Sequence, residues 1–345
     1  MNSALLAFAI SLTASLLLTI PVRALALRVG MVDLPGPRKV HSEPIPLLGG
    51  LAIYGAVVLA LLLVMDAVAR GQSAGILAGA TLVAVTGMLD DRGLLHHQIK
   101  LFVAMPLAAV LLMLNGIHAQ VFRVLLGGRS GQIADIALTI FWVVGITAAF
   151  SILDHMDGLC AGTAAVASAF FALLARQNGQ ALAALLAATV LGAALGFLRW
   201  NFKPAKIFMG DGGAMFLGFL MATLGLQLRF EQAPPAAGWM IPVLILIVPV
   251  FDTTLVTISR ARRGLLPFTS PGKDHCAHRL ANLGLEQRGA VLALYALGAL
   301  GGILALLVSR VSPAGVLCAF LGVAIGILGG VALLEQAPYQ RQEKK

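Results

Sequence analysis

The sequence predicts an all-α integral membrane protein, a polytopic bundle of about eleven transmembrane helices, with ten as the alternative count. Three observations carry that expectation. Of 345 residues, 59% are hydrophobic and only 11% charged, against about 25% charged in an ordinary soluble domain. The mean hydropathy is +0.93, and 38 glycines suit helices that pack closely in lipid. The lipid bilayer is therefore the first partner the sequence implies.

The spans follow in chain order as apolar runs near the ~20 residues needed to cross the hydrocarbon core. They lie near 4–26, 48–65, 74–89, 99–114, 133–153, 159–175, 181–198, 214–228, 239–258, 290–308 and 313–334. The first reads as a span and not a signal peptide, because it is long, lacks a basic start and has no small-residue cleavage site. Residues 1–334 then form one polytopic domain, and 335–345 a solvated tail. An odd span count puts the termini on opposite sides. The loops at 27–47, 90–98, 154–158, 199–213 and 259–289, with the tail and the boundary residues Arg23 and Lys100, carry 18 of the 24 Lys and Arg; Arg70, Arg123, Arg129, Arg176, Arg229 and Arg310 make up the rest. The positive-inside rule places the first set in the cytoplasm, the N-terminus outside and the C-terminus inside.

The net charge of +9 does not point to nucleic acid. The densest basic run is Arg260-Ala261-Arg262-Arg263, and the remaining bases flank apolar segments, as topology-setting charges do. No nucleic acid is expected as a partner. Cys160, Cys276 and Cys318 are far apart and show no CxxC, which argues against a disulfide framework or a zinc cluster.

Carboxylates at span ends are expensive unless they line a polar cavity. Of the 15 acids, 12 fall on the expected cytoplasmic side, among them Asp90-Asp91, Asp154, Asp157, Asp211, Asp252 and Asp274. Adjacent carboxylates repel, a conflict resolved by a divalent cation or a retained proton; hard oxygens suit magnesium, which takes one or two carboxylates with substrate phosphates and water. Each signal also has a bland explanation. A helix-end Asp pair is commonly a solvated terminus. Asp154 and Asp157 could be turn formers before Gly158, and Gly210-Asp211-Gly212-Gly213 alone is a weak phosphate cradle. Asp252 could pair with Arg260 or bond to Thr253 or Thr254, and His275 and His278 lack a nearby third metal ligand. Their coincidence on one face, with the basic stretch Arg38-Lys39-Val40-His41, describes a site for a metal and a polyanion beside lipid.

With those residues in hand, the chain resembles the polyprenyl-phosphate N-acetylhexosamine-1-phosphate transferase family. The resemblance rests on Val32 to His41 (VDLPGPRKVH) with Ile45 to Gly50 (IPLLGG), then GMLDDR at Gly87 to Arg92 and LDHMDGL at Leu153 to Leu159. It continues through FMGDGG at Phe208 to Gly213 and DHCAHRL at Asp274 to Leu280. It implies transfer of N-acetylhexosamine-1-phosphate, GlcNAc-1-phosphate foremost, from a UDP-N-acetylhexosamine to undecaprenyl phosphate, releasing UMP. That reaction begins cell-envelope glycan synthesis at the inner membrane. It further implies Mg2+, with Mn2+ as an alternative ion, and admits a homodimer. Carried over, Asp211 is the metal ligand with Asp154 as second carboxylate. Asp90, Asp91, His275 and His278 are catalytic, and Lys39, His41, Asp154, Asp157 and Arg279 bind substrate.

The chain departs from the family pattern at Ala148 and Ser151, where Asn is usual, at Ala214 in place of a Ser, and at Ala277 in place of a middle His. His155 also replaces a Gly or Asn. No carboxylate is lost. Competing readings are an ion-coupled transporter, for which acids should lie near the membrane midplane in repeated broken helices, and a catalytically silent scaffold.

Overall fold

The computed structural model describes residues 3–34, 43–65, 67–230, 235–265 and 272–337; Lys39 and His41 lie outside the described residues. The chain gathers into two compact units, Met1–Arg229 and Phe230–Lys345.

The first unit opens with α1 (Ser3–Arg28), followed by a ribbon in which β1 (Val32–Asp33) runs antiparallel to β2 (Ile45–Pro46), with Val32 opposite Pro46. Strands of two residues are too short to leave an alternating pattern in the sequence. There follow α2 (Gly49–Val64), α3 (Ala67–Asp91), α4 (His97–Ile99), a π-turn over Lys100–Ala104 and α5 (Met105–Leu114). After the short α6 (Phe122–Leu126) come α7 (Gly128–Leu153), α8 (Leu159–Gln177), α9 (Ala181–Asn201) and α10 (Gly210–Gln227). The glycine-rich residues 128–131 form the first turn of α7.

Helix α10 is the centre of this unit. Residues 212–226 are buried without exception, because the helix is apolar on every side and has no polar face to offer solvent. Helices α2, α3, α7 and α8 pack around it. Glycine permits the closest of these approaches: a Cβ on Gly87 would stand 2.6 Å from the Asp211 carbonyl, so α3 can lie directly on the N-terminus of α10. Helix α1 seats on α9 in the same manner, where a Cβ on Gly196 would meet the Leu12 carbonyl oxygen at 2.5 Å. Backbone contact of this kind replaces the hydrophobic driving force that lipid does not supply.

The second unit contains α11 (Pro235–Ile245) and α12 (Ile247–Arg262), which meet at a bend of 80°. Helix α13 (Cys276–Leu280) runs through a π-turn at Ala281–Leu285 into α14 (Glu286–Val308), and α15 (Pro313–Leu334) follows. Gly284, at φ 102°, breaks the helical path between α13 and α14. Only 11% of the span window of α15 is buried, the pattern of a helix that faces lipid.

The apolar segments expected from the sequence fall largely on helix, but the one at 239–258 is divided between α11 and α12 at the 80° bend. Among the described residues, seven helices are long and apolar enough to span a bilayer, and the bent pair α11 and α12 makes an eighth if counted as one; α2 and Lys100–Leu114 are apolar but shorter. The protein is an all-α, multi-pass membrane protein apart from its small ribbon.

Candidate active site

Two clusters of ionisable side chains stand out, one in each unit. The first is built at the N-terminus of α10. Four N–H groups at a helix start have no partner within the helix, and carboxylates satisfy them well. Asp91, at the end of α3, does so here: its Oδ1 accepts from the Asp211 N–H at 2.9 Å and its Oδ2 from the Gly212 N–H at 3.1 Å. Gly210 has φ +73°, and a Cβ there would strike the Asp91 carboxylate at 2.6 Å. The glycine is therefore required both by its backbone angle and by the carboxylate beside it.

This cap aims the Asp211 side chain. Its Oδ1 accepts from the Ser151 hydroxyl at 2.6 Å, and its Oδ2 from the Lys100 ammonium. The same ammonium donates to Asp90 Oδ2 at 2.6 Å. Lys100, Asp90 and Asp211 keep 17%, 17% and 22% of their side-chain surface exposed, so the triad is recessed but open. Asp154, half-buried in the turn after α7, accepts from the Gly210 N–H. Burial pushes its carboxyl well above the ordinary range, and the charges of Asp211, Asp91 and Asp157 add to that. Asp157 accepts from the Ala205 N–H at 3.1 Å.

Asn201 holds the two loops together. Nearly buried at 2% exposure, it accepts from the Gly158 N–H at 3.1 Å and donates to the Ile207 carbonyl at 3.0 Å. It thereby ties the turn bearing Asp154 and Asp157 to the segment leading into Asp211.

The structure thus gathers Asp90, Asp91, Asp154, Asp157 and Asp211 around one helix terminus, and it adds two residues that sequence reasoning missed. Lys100 was legible only as a boundary charge; the available signal was a lysine opening an apolar run beside an acid pair. Asn201 could have been noticed as an amide closing a long apolar helix. Ser151, one of the positions at which the chain departs from the pattern the resemblance implies, bonds directly to the expected metal ligand.

Among the described residues no three His, Cys, Asp or Glu side chains converge closely enough to enclose a metal ion. The donor set nonetheless fits a hard divalent ion of the kind that completes its shell with substrate and water. Asp90 and Asp211 already share one cation, the Lys100 ammonium, and Asp154 adjoins them under the repulsion of other carboxylates.

The second cluster lies where α12 and α13 meet the segment between them. Asp274, 1% exposed, accepts from Arg260 Nε at 2.9 Å and Nη2 at 2.8 Å, and from Arg263 Nη2 at 2.7 Å. Burial alone would raise its carboxyl, but the bonds from Arg260 and Arg263 outweigh burial and hold it well below the ordinary range. Asp252, also 1% exposed, takes His275 Nδ1 at 2.8 Å and the Cys276 N–H at 2.7 Å. Arg260 turns its fork to Asp274, whose two oxygens match it.

Arg279, expected to reach a phosphate, is fully buried. Its guanidinium donates to the Asp274 carbonyl at 2.8 Å, Ser259 Oγ at 2.8 Å, the Leu334 carbonyl at 2.9 Å and Glu335 Oε1 at 2.6 Å. In this arrangement it clasps the histidine segment to the end of α15. Glu335, expected in a solvated tail, has a side chain only 14% exposed, because that ion pair draws it in. His275 is 5% exposed, and His278 is half-buried on α13.

Comparison with known proteins agrees with this geometry. The family model described as glycosyl transferase family 4 matches residues 73–229, the stretch that carries all five carboxylates and Lys100. A probable undecaprenyl-phosphate N-acetylglucosaminyl 1-phosphate transferase of Bacillus subtilis is 37% identical over 294 residues, covering 85% of this chain and 81% of its own. The decaprenyl-phosphate N-acetylglucosaminephosphotransferase of Mycolicibacterium smegmatis is 35% identical over 79% of this chain and 74% of its own. An undecaprenyl-phosphate alpha-N-acetylglucosaminyl 1-phosphate transferase of Yersinia pestis is 28% identical over 79% and 75%. With the carboxylate cluster inside the matched region and relatives aligned over most of both chains, this protein belongs to glycosyl transferase family 4.

Proposed function

We propose that the protein transfers N-acetylglucosamine-1-phosphate from UDP-N-acetylglucosamine to undecaprenyl phosphate and releases UMP, opening a cell-envelope glycan pathway. The observation that carries this reading is the carboxylate cluster at the α10 N-terminus. Asp90 and Asp211 share the Lys100 ammonium, an arrangement suited to a diphosphate and a hard cation at the edge of a membrane protein. The relatives' names supply the substrate class.

In this reading Asp211, with Asp154, holds Mg2+ or Mn2+, which when bound offsets negative charge on the diphosphate. Asp91 acts on the backbone: it holds the Asp211 and Gly212 N–H groups and so fixes the direction of the Asp211 side chain. Ser151 and Lys100 orient the Asp211 carboxylate from its two oxygens. Lys100 can follow the charge from Asp90 and Asp211 to a phosphate oxygen, because three rotatable donors sit on a flexible stem. The lipid phosphate is already ionised at neutral pH, so Asp90 serves to position Lys100, and no base is needed to activate the acceptor. Lys39, His41 and Asp157 contact substrate, and His275 and His278 serve the same reaction. Arg279, enclosed by protein acceptors, is assigned to holding the histidine segment and not to phosphate.

We also propose eleven spans with the N-terminus outside, the C-terminus and reactive loops in the cytoplasm, and residence in the inner membrane as a single polytopic domain over residues 1–334. A homodimer is compatible with this. The direct test incubates purified protein with Mg2+, undecaprenyl phosphate and a panel of UDP-sugars. UMP release with UDP-N-acetylglucosamine is expected; none with any UDP-sugar would refute the reading.

A further inference from the structure

The proposed reaction employs His275 but gives no part to Asp252, the carboxylate behind it. A carboxylate buried to 1% exposure is costly unless its charge is fully bound. Two contacts to Asp252 reach the histidine segment. Oδ1 accepts the N–H of Cys276, the first residue of α13, at 2.7 Å, and Oδ2 meets His275 Nδ1 at 2.8 Å. With Asp252 as a carboxylate, which only accepts, the contact takes a proton on Nδ1 and leaves Nε2 for any bond the ring makes to a substrate. The adjacent carboxylate, Asp274, is bound by Arg260 and Arg263.

We infer that Asp252 is a positioning residue for His275: through the Nδ1 contact and the Cys276 anchor it fixes the ring plane and the Nδ1–H tautomer, so that Nε2 is the atom presented for reaction. The inference rests on the reading of His275 as a reaction group, and the experiment separates the two. A residue that merely caps α13 would show a different response, because Asn can cap as Asp does.

The test uses full-length protein and Asp252→Asn. The Asn carbonyl keeps the Cys276 N–H, while its amide donates to Nδ1 and moves the ring proton to Nε2. The kcat for UMP release from UDP-N-acetylglucosamine should fall about 100-fold or more, in the direction known for a carboxylate-to-amide change behind a catalytic histidine, with KM and Tm little changed. His275→Gln should fall comparably, and the double variant should be no worse than His275→Gln alone. Asp252→Glu, which keeps an acceptor, should retain more turnover than Asp252→Asn. Full kcat in Asp252→Asn, an equal loss with Glu and Asn, or an undiminished further loss in the His275→Gln background would each overturn the inference. Full turnover in His275→Gln overturns instead the role given to His275. A readout independent of activity is the 15N spectrum of histidine-labelled protein, with the His275 signal identified by its loss in His275→Gln. An Nδ1–H ring in the wild type and an Nε2–H ring in Asp252→Asn are expected; the same tautomer in both would refute the inference even in a preparation that shows no transfer.

Discussion

The carboxylate cluster of the first unit and the arginine cluster of the second are both assemblies of acids drawn from distant parts of the chain, yet their charge is balanced in opposite ways. Asp274 is held by two guanidinium groups, and Arg279 is enclosed by Ser259, Glu335 and two backbone carbonyls. In the first cluster Lys100 is shared by two of five carboxylates, and the charges acting on Asp154 are those of other carboxylates. The closed balance around Asp274 and Arg279 is that of a brace, on which the His275 segment is carried, whereas the open balance around Asp211 leaves charge for the proposed cation and substrate to complete.

The contrast can be broken most directly at its two centres. Asp211→Asn should lower turnover by about 10³-fold, the scale of losing a preorganised electrostatic group, while leaving Tm within a few degrees; a folded Asp211→Asn with wild-type kcat would remove the open-site reading. Asp274→Asn should do the reverse. Leaving Arg260 and Arg263 without their shared carboxylate should cost about 3–5 kcal/mol of stability, seen as a large drop in Tm in detergent. An unaltered Tm would show that the arginines have other satisfactory partners.

Smaller effects sharpen the comparison. Ser151→Ala removes a hydroxyl bonded to the Asp211 carboxylate and should weaken Mg2+ binding roughly 10-fold, the lower end for loss of a ligand's supporting bond; titration calorimetry checks this. The two clusters should also answer pH oppositely. Asp154 has a raised carboxyl, so it favours the folded state at low pH and opposes it as pH rises through its ionisation. A divalent ion binds the ionised form, and its thermal stabilisation should therefore grow as pH rises above the ordinary carboxylate value of about 4. Asp274 has a depressed carboxyl, so its contribution is present above the ordinary carboxylate value of about 4 and is lost as pH falls below it. Acid denaturation that is identical in Asp274→Asn and wild type would contradict this. Glu335→Gln should be mildest, within about 1–2 kcal/mol, because the Arg279 guanidinium keeps its other acceptors.

Much of this was legible in one dimension. Apolar runs of span length fixed an all-α membrane protein, since a backbone in lipid must satisfy its own hydrogen bonds and helices do so within one segment. Asp90, Asp91, Asp154, Asp157 and Asp211 stood out because a charged fraction of 11% leaves few acids to confuse them. The partners of those acids were another matter. Lys100 is ten residues from Asp90 and 111 from Asp211, and nothing local says that a π-turn carries it between them. Asp252 was read against Arg260, two turns along its own helix, whereas its partner His275 is 23 residues away. Arg279 carried the motif's promise of a phosphate contact, and only its burial beside Glu335, 56 residues on, shows it bound to protein instead. Sequence alone determines which groups are too costly to place in lipid without purpose, because that cost depends on residue type and apolar surroundings. Which purpose each serves is decided by which opposite charge comes within bonding distance, and that is a property of how the helices pack.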